Sequence, residues 1–245
     1  MPTEHKLSNW SQEEKDYEKL RNQLINEVDL KSYIDHPFLF IKRQRVTDYI
    51  TRIELFKKIL NVQGSVVECG VHKGGSLMLY YHLSSILEPY GFNRKIIGFD
   101  TFEGFRSLSE KDHNLADESI FSDTSYETLR KSVELNDKNR TLSHISKCEI
   151  IKGDATISIP KYKKENPHLI IALLYIDFDI YEPTKVAIQE LLPLVPKGGI
   201  VAFDELNAKK WSGETEAVKE LLQLDTLKLQ KFYFDPWPSF FVVGE

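Results

Sequence analysis

From Ser65 onward, five short apolar runs alternate with helical stretches, and each run closes near a glycine or an acid: SVVEC, KIIGFD, CEIIKG, LIIALLYID and GIVAFD. Continuous apolar strands separated by helices imply a parallel sheet covered on both faces, because a half-solvated strand would alternate apolar with polar residues. SLMLYYHLSSIL and PTKVAIQELLPLV supply two of the covering helices. The last segment breaks the rhythm. LKLQKFYFD and SFFVVGE are joined across Pro236 and Pro238 by too short a link for a crossover, so they pair antiparallel. The expected fold is α/β: a doubly wound, Rossmann-like sheet of about seven strands, mostly parallel, with a C-terminal antiparallel hairpin.

Residues 1–60 read as a helical appendage packed on this core. Tyr17, Leu20, Leu24 and Val28 recur three or four apart behind a Ser11–Glu14 capping box. Val46, Tyr49, Ile53, Phe56 and Ile59 mark one face of a second helix. Residues 61–245 form the ligand-binding domain, and the polar, Asp/Ser-rich stretch 103–147 is long enough to be a lid insertion. A net charge of −5 gains nothing from counterion release, which argues against nucleic acid as a partner. Only Cys69 and Cys148 occur, so a disulfide scaffold and a cysteine zinc site are excluded. No apolar stretch approaches the roughly 18 residues of a membrane span, and the N-terminus has no secretory apolar region. The expectation is a cytoplasmic protein with a small-molecule substrate and no membrane or nucleic-acid partner.

In open α/β sheets ligands bind at the carboxyl ends of the strands, near the point where strand order reverses. The first strand ends at Glu68, and Gly70, Gly74 and Gly75 lead into a helix expected to be capped by Ser76. Such glycines let a cofactor lie against backbone, and the helix start offers free N–H groups. The spacing is not G-x-G-x-x-G, which disfavours an NAD-dependent oxidoreductase, and an acid at this place suits a cationic group such as an amino-acid ammonium. Asp100 ends the second strand, either as a ribose-diol acceptor or as a turn aspartate. Asp154 ends the third, either facing an adenine amino group or serving the turn. Asp177 and Asp179 close the fourth strand, and Asp204 and Glu205 the fifth. Carboxylates so close repel one another unless a cation intervenes, and an all-oxygen set suits Mg²⁺; the alternative is helix capping or pairing with Lys209 or Lys210. Asp179 is expected to point away from Asp177, as a bystander. Trp211 is expected to pack, Ser212 to cap a helix, His72 to face solvent, and both cysteines to be buried thiols.

VVECGVHKGGS, GFDTFEGF, YIDFDIYEPT and GGIVAFDE together resemble the macrocin O-methyltransferase family of class I, S-adenosylmethionine-dependent enzymes, from about Arg45 to the C-terminus. The resemblance implies a seven-stranded sheet with an antiparallel last strand. It places Glu68 and Gly70 by the methionine moiety with Ser76 nearby, and Asp100 on the ribose hydroxyls. Thr101 and Phe102 would border the adenosine, and Asp154 with Ala155 would line the adenine. It implies Mg²⁺ bound by Asp177, Asp204 and Glu205, the last standing where the family has a second aspartate. His72 replaces a family tryptophan, and the family proline after Gly104 is missing. The expected reaction is Mg²⁺-assisted methyl transfer to a hydroxyl of a sugar or sugar-containing metabolite, with Asp177 as general base. The N-terminal helices are a candidate homodimerisation surface. The rivals are a non-catalytic adenosyl-ligand-binding module, an NAD-dependent oxidoreductase, and a methyltransferase acting on nitrogen or nucleic acid. The last is disfavoured by the acidic charge and the lack of an N-P-P-Y motif.

Overall fold

The β-branched and aromatic residues of the five runs favour extended backbone, and each run forms a strand in the computed structural model, which describes residues 11–106, 108–112 and 121–245. The strands are β1 (Ser65–Cys69), β2 (Ile96–Asp100), β3 (Cys148–Lys152), β4 (Ile171–Ile176), β5 (Ile200–Phe203), β6 (Gln230–Lys231) and β7 (Ser239–Val242). The helices are α1 (Gln12–Glu27), α2 (Leu30–Asp35), α3 (Arg43–Lys58), α4 (Gly75–Leu87), α5 (Tyr126–Asp137), α6 (Ala155–Glu165), α7 (Tyr181–Leu191) and α8 (Ser212–Leu221). Among the described residues no helix is long and apolar enough to cross a membrane.

The chain divides into two compact units, residues 1–48 and 49–245. In the first, Ser11 and Glu14 cap α1 reciprocally, the Arg21 Nε donates to the Phe40 carbonyl, and Tyr33 stacks on Phe40. In the second, seven strands run in the order β3-β2-β1-β4-β5-β7-β6. β3, β2, β1, β4 and β5 are parallel, whereas β7 lies antiparallel between β5 and β6. The first segment of the expected hairpin contributes only Gln230 and Lys231 to the ladder.

Alternation along the strands divides the core into two layers. Val67, Phe99, Leu174, Ile176, Val201 and Phe203 pack under α6, α7 and α8. Val66, Ile96, Leu173, Tyr175 and Ala202 pack on the other face with Leu55, Phe56, Leu77, Tyr80, Leu129 and Val133. β4 is buried throughout, as a central parallel strand must be. The buried side of α3 is Thr51, Arg52, Leu55 and Phe56, with Ile59 just beyond, rather than the face through Tyr49 and Ile53 that apolar periodicity suggested. Part of the stretch expected as a lid, 103–147, is the ordinary crossover helix α5, whose Leu129 and Val133 join the core. Residues 107 and 113–120 of that stretch lie outside the described residues.

Strand order reverses between β1 and β4, the neighbours from which the two halves of the sheet diverge. There the chain leaving β1 touches the chain leaving β4. The Asp177 N–H donates to the Cys69 carbonyl at 2.7 Å, and Gly70 holds φ at +92°. A Cβ at Gly70 would lie 1.8 Å from the Asp177 carbonyl oxygen, so only glycine fits. Gly70→Ala is therefore expected to destabilise the fold by more than about 2 kcal/mol, combining left-handed strain with a backbone clash. Urea unfolding checks this, and a midpoint equal to wild type would contradict it.

Candidate active site

The side chains that alternate onto the α3 face of the sheet converge at the carboxyl ends of its central strands. Glu68 pairs in register with Tyr175, and Tyr175 with Ala202, so Glu68, Tyr175, Asp177 and Asp204 project to one side. Opposite them, α3 presents Arg52, 4% exposed and with its guanidinium carbon 4.1 Å above the centre of the Tyr175 ring. Arg52 Nη1 lies 3.6 Å from Glu68 Oε1, and Nη2 lies 3.6 Å from Asp177 Oδ2 and 3.8 Å from Asp204 Oδ1. The Tyr175 hydroxyl donates to Asp204 Oδ1. Glu68 is sealed from solvent, whereas Asp177 and Asp204 remain 26% and 24% exposed, open to an incoming molecule. Neither Arg52 nor Tyr175 was singled out from the sequence.

A second unforeseen residue ties the two strand ends together. Glu214, in the first turn of α8 and fully buried, accepts from the N–H groups of Phe178, Asp179 and Glu205 at 3.1, 3.3 and 3.3 Å. Asp179 is not the bystander it was expected to be. The strand ends at Ile176, Asp179 takes a φ of +63°, and burial together with the neighbouring Asp177 and Glu205 carboxylates raises its buried carboxyl well above the ordinary range. Burial, reinforced by the neighbouring Asp204, holds the Asp177 carboxyl well above the ordinary carboxylate range, with Arg52 opposing. Burial likewise raises Glu205 to about 7 and Glu214 to about 8.

The cofactor-side residues divide between open and occupied positions. Gly74, left-handed at φ +84°, is the N-cap of α4 and makes no side-chain capping bond, so Ser76 stands inside the helix and does not cap it. A Cβ at Gly75 would meet nothing within 4 Å, which leaves space beside an uncapped helix start. Asp100 Oδ2 accepts from the Val71 and His72 N–H groups and Oδ1 from Phe102 N–H, at 2.8, 2.7 and 2.6 Å. A carboxylate has about four acceptor sites, so Oδ1 retains one for a hydroxyl. The Thr101 hydroxyl donates to the Gly104 carbonyl, and Phe102 is buried edge-on to Tyr126. Asp154 is the N-cap of α6, Oδ1 accepting from both the N–H and the hydroxyl of Thr156, with Ala155 buried behind it.

Several peripheral expectations change in detail. His72 pairs with Asp123 at 3.0 Å and sits edge-on to Phe121, and burial lowers its pKa. Trp211 packs with Phe105, Phe121 and Ile180. Ser212 begins α8 behind the N-cap Trp211, its hydroxyl donating to the Lys111 carbonyl. Both cysteines are buried. Because β7 runs antiparallel to β5 and Ser239 pairs with Phe203, the loop preceding β7 reaches the same sheet edge as Asp204. That loop carries Tyr233 and Trp237, 97% and 57% exposed, while its buried Asp235 accepts from the Thr51 hydroxyl.

The donor set at this edge fits a hard divalent ion in chemistry. It is all oxygen, and Glu205 Oε2 is buried with no hydrogen-bond partner among the described residues. It is not assembled as a ligand set, since no three acidic, imidazole or thiol groups converge on one point among the described residues. Arg52 faces Asp177 and Asp204, and Glu205 engages Asp179.

Comparison with known proteins fits this layout. The family described as macrocin-O-methyltransferase (TylF) matches residues 7–240. The calicheamicin methyltransferase CalS11 superposes with a TM-score of 0.90 at 31% identity, covering 96% of this chain and 95% of its own. The apo structure of CalS11, described as a TDP-rhamnose 3′-O-methyltransferase, gives 0.82 at 30%, covering 96% of both chains. The O-methyltransferase NovP shares the fold with a TM-score of 0.64 at 20% identity, covering 80% of this chain and 79% of its own. No curated protein matches the chain by sequence.

The raised carboxyl groups make a signed prediction. With Glu205 near 7 and Glu214 near 8 against an ordinary 4.5, the folded protein keeps protons that the unfolded chain releases. The unfolding free energy of the metal-free protein must then fall as pH rises from about 5 to about 8. Urea midpoints across that range test it. Glu214→Gln, which has no proton to lose, should flatten the slope, and a wild-type profile flat from the outset would contradict the assignment.

Proposed function

The chain belongs to the macrocin-O-methyltransferase family, and from that premise we propose that it methylates a hydroxyl of a sugar or sugar-bearing small molecule, with Asp177 as general base. The observation that carries this reading is the contact between the β1 and β4 ends. It puts Asp177, whose carboxyl is partly exposed, beside the glycine loop that would receive the cofactor, its backbone N–H bonded to the Cys69 carbonyl. S-adenosylmethionine, when bound, supplies an already activated methyl group, and Mg²⁺, held by Asp177, Asp204 and Glu205, would supply positive charge at the acceptor oxygens. The protein's own contribution is alignment and proton removal.

The open amides at the start of α4 suit the carboxylate of an amino-acid moiety and the remaining acceptor site on Asp100 suits a ribose hydroxyl, whereas Glu68, expected beside the methionine ammonium, is closed to solvent and faces Arg52 instead. Asp177 takes the hydroxyl proton as the oxygen–methyl bond forms and the sulfur–methyl bond breaks. Its raised proton affinity suits a base facing so weak an acid. The sugar acceptor is supported by the likeness to CalS11 at about a third identity and by exposed Tyr233 and Trp237 at the mouth, whose flat apolar faces suit the C–H face of a pyranose.

Asp177→Asn should lower turnover by about 10²–10⁴-fold while S-adenosylmethionine still binds. Methyl-transfer assays beside calorimetric titration decide it, and full activity in the variant would refute the base assignment. Trp237→Ala should raise the acceptor KM and leave cofactor affinity alone. An unchanged acceptor KM would remove the loop from the substrate site.

A further inference from the structure

We propose that Arg52 is the resident counter-cation of the acidic strand ends and competes with a divalent metal ion for Asp177 and Asp204. The inference rests on the reading above, in which those two carboxylates with Glu205 hold the metal. Six carboxyl groups gather at this edge: Glu68, Asp177, Asp179, Asp204, Glu205 and Glu214. The cations among them are Arg52, in the interior, and Lys210, acting on Glu205 and Asp179 from a more open position. A guanidinium keeps its charge at any working pH, so Arg52 contributes a fixed positive charge where the acids are densest.

Its seat is built. The Thr51 hydroxyl bonds to the buried Asp235, while Leu55, Phe56 and Ile59 pack on the sheet, so α3 fixes the position from which Arg52 reaches in. The Tyr175 ring supports the guanidinium from below, and the Tyr175 hydroxyl holds Asp204. The separations to Asp177 and Asp204, 3.6 and 3.8 Å, are longer than the roughly 2.7–2.9 Å of a charge-assisted hydrogen bond. Arg52 therefore attracts these carboxylates without clamping them. Mg²⁺ needs oxygens at about 2.0–2.1 Å in near-octahedral array, so the same two groups must turn from the guanidinium to take the ion.

A supporting residue that merely orients ligands would have the opposite effect. Removing an orienting group weakens metal binding, commonly by about 10–100-fold, whereas removing a competing cation tightens it. The test is Mn²⁺ binding to the full-length protein, read as loss of the free-ion electron paramagnetic resonance signal, for wild type, Arg52→Gln and Arg52→Lys. Competition predicts that Arg52→Gln binds Mn²⁺ about tenfold tighter or more than wild type, with Arg52→Lys near wild type. Binding in Arg52→Gln alone also supports it. Equal or weaker binding in Arg52→Gln overturns the proposal and leaves the metal reading standing. No binding in all three proteins overturns both. Should Arg52→Gln fail to fold, the Arg52 Nε–H resonance of the wild-type protein decides the matter. It must shift when Mg²⁺ is added without cofactor, and a resonance unmoved by bound Mg²⁺ overturns the proposal.

Discussion

Burying acid beside acid is the constraint on which the rest of this architecture depends. Carboxylates removed from water lose hydration and repel one another, and a fold that gathers them must supply compensation or leave them protonated. Three arrangements meet at the β1, β2, β4 and β5 ends. Backbone amides serve Asp100 and Glu214, three to each. A fixed cation, Arg52, faces Glu68, Asp177 and Asp204. Asp179 and Glu205, buried near one another, are left with raised proton affinity. These solutions have different functional consequences. Glu214, held by three amides and sealed, staples two loops, whereas Asp177 and Asp204, attracted at longer range, stay partly solvated.

The sheet makes this gathering possible because alternation and strand order act together. Parallel neighbours in register put residues two apart on the same face, so Glu68, Tyr175 and Asp177, with Asp204 from β5, share one side without any loop having to steer them. Reversal of strand order between β1 and β4 opens the crevice there, and the Gly70–Asp177 contact fixes how closely its two walls approach. Functional groups held by rigid strands keep the sub-ångström alignment that methyl transfer demands, while the variable acceptor is left to the loops above.

What the sequence made legible follows from the same geometry. Apolar runs that end in acids identify both the parallel strands and the acids at their carboxyl ends, which is why the positions of Glu68, Asp100, Asp177, Asp204 and Glu205 in the sheet could be read from the sequence alone. Arg52 was hidden for the converse reason. It lies on the buried face of α3, and helical periodicity is read by counting apolar residues, so a charge among Leu55, Phe56 and Ile59 looks like a break in the pattern rather than its functional member. Glu214 was hidden by ordinariness, since an acid in the first turn of a helix is what the dipole favours anyway. Ser76 and Asp179 misled because each follows a left-handed or kinked backbone setting that the side-chain pattern does not encode. Gly74 takes the cap itself, and a positive φ turns Asp179 back toward Glu205.

Arg52 also bears on the Asp204–Glu205 pair, where an aspartate would be expected second. A glutamate has one more methylene, and here it reaches across to Asp179 instead of facing the guanidinium with Asp177 and Asp204. That extra reach divides the acids into two groups: three carboxylates facing Arg52, and the pair Asp179 and Glu205 near Lys210. The acids at the strand ends thus fall into two local sets rather than around a single centre. Assembling one centre would require both sets to rearrange together, which makes the position of a single buried arginine the point at which the electrostatics of the whole edge are decided.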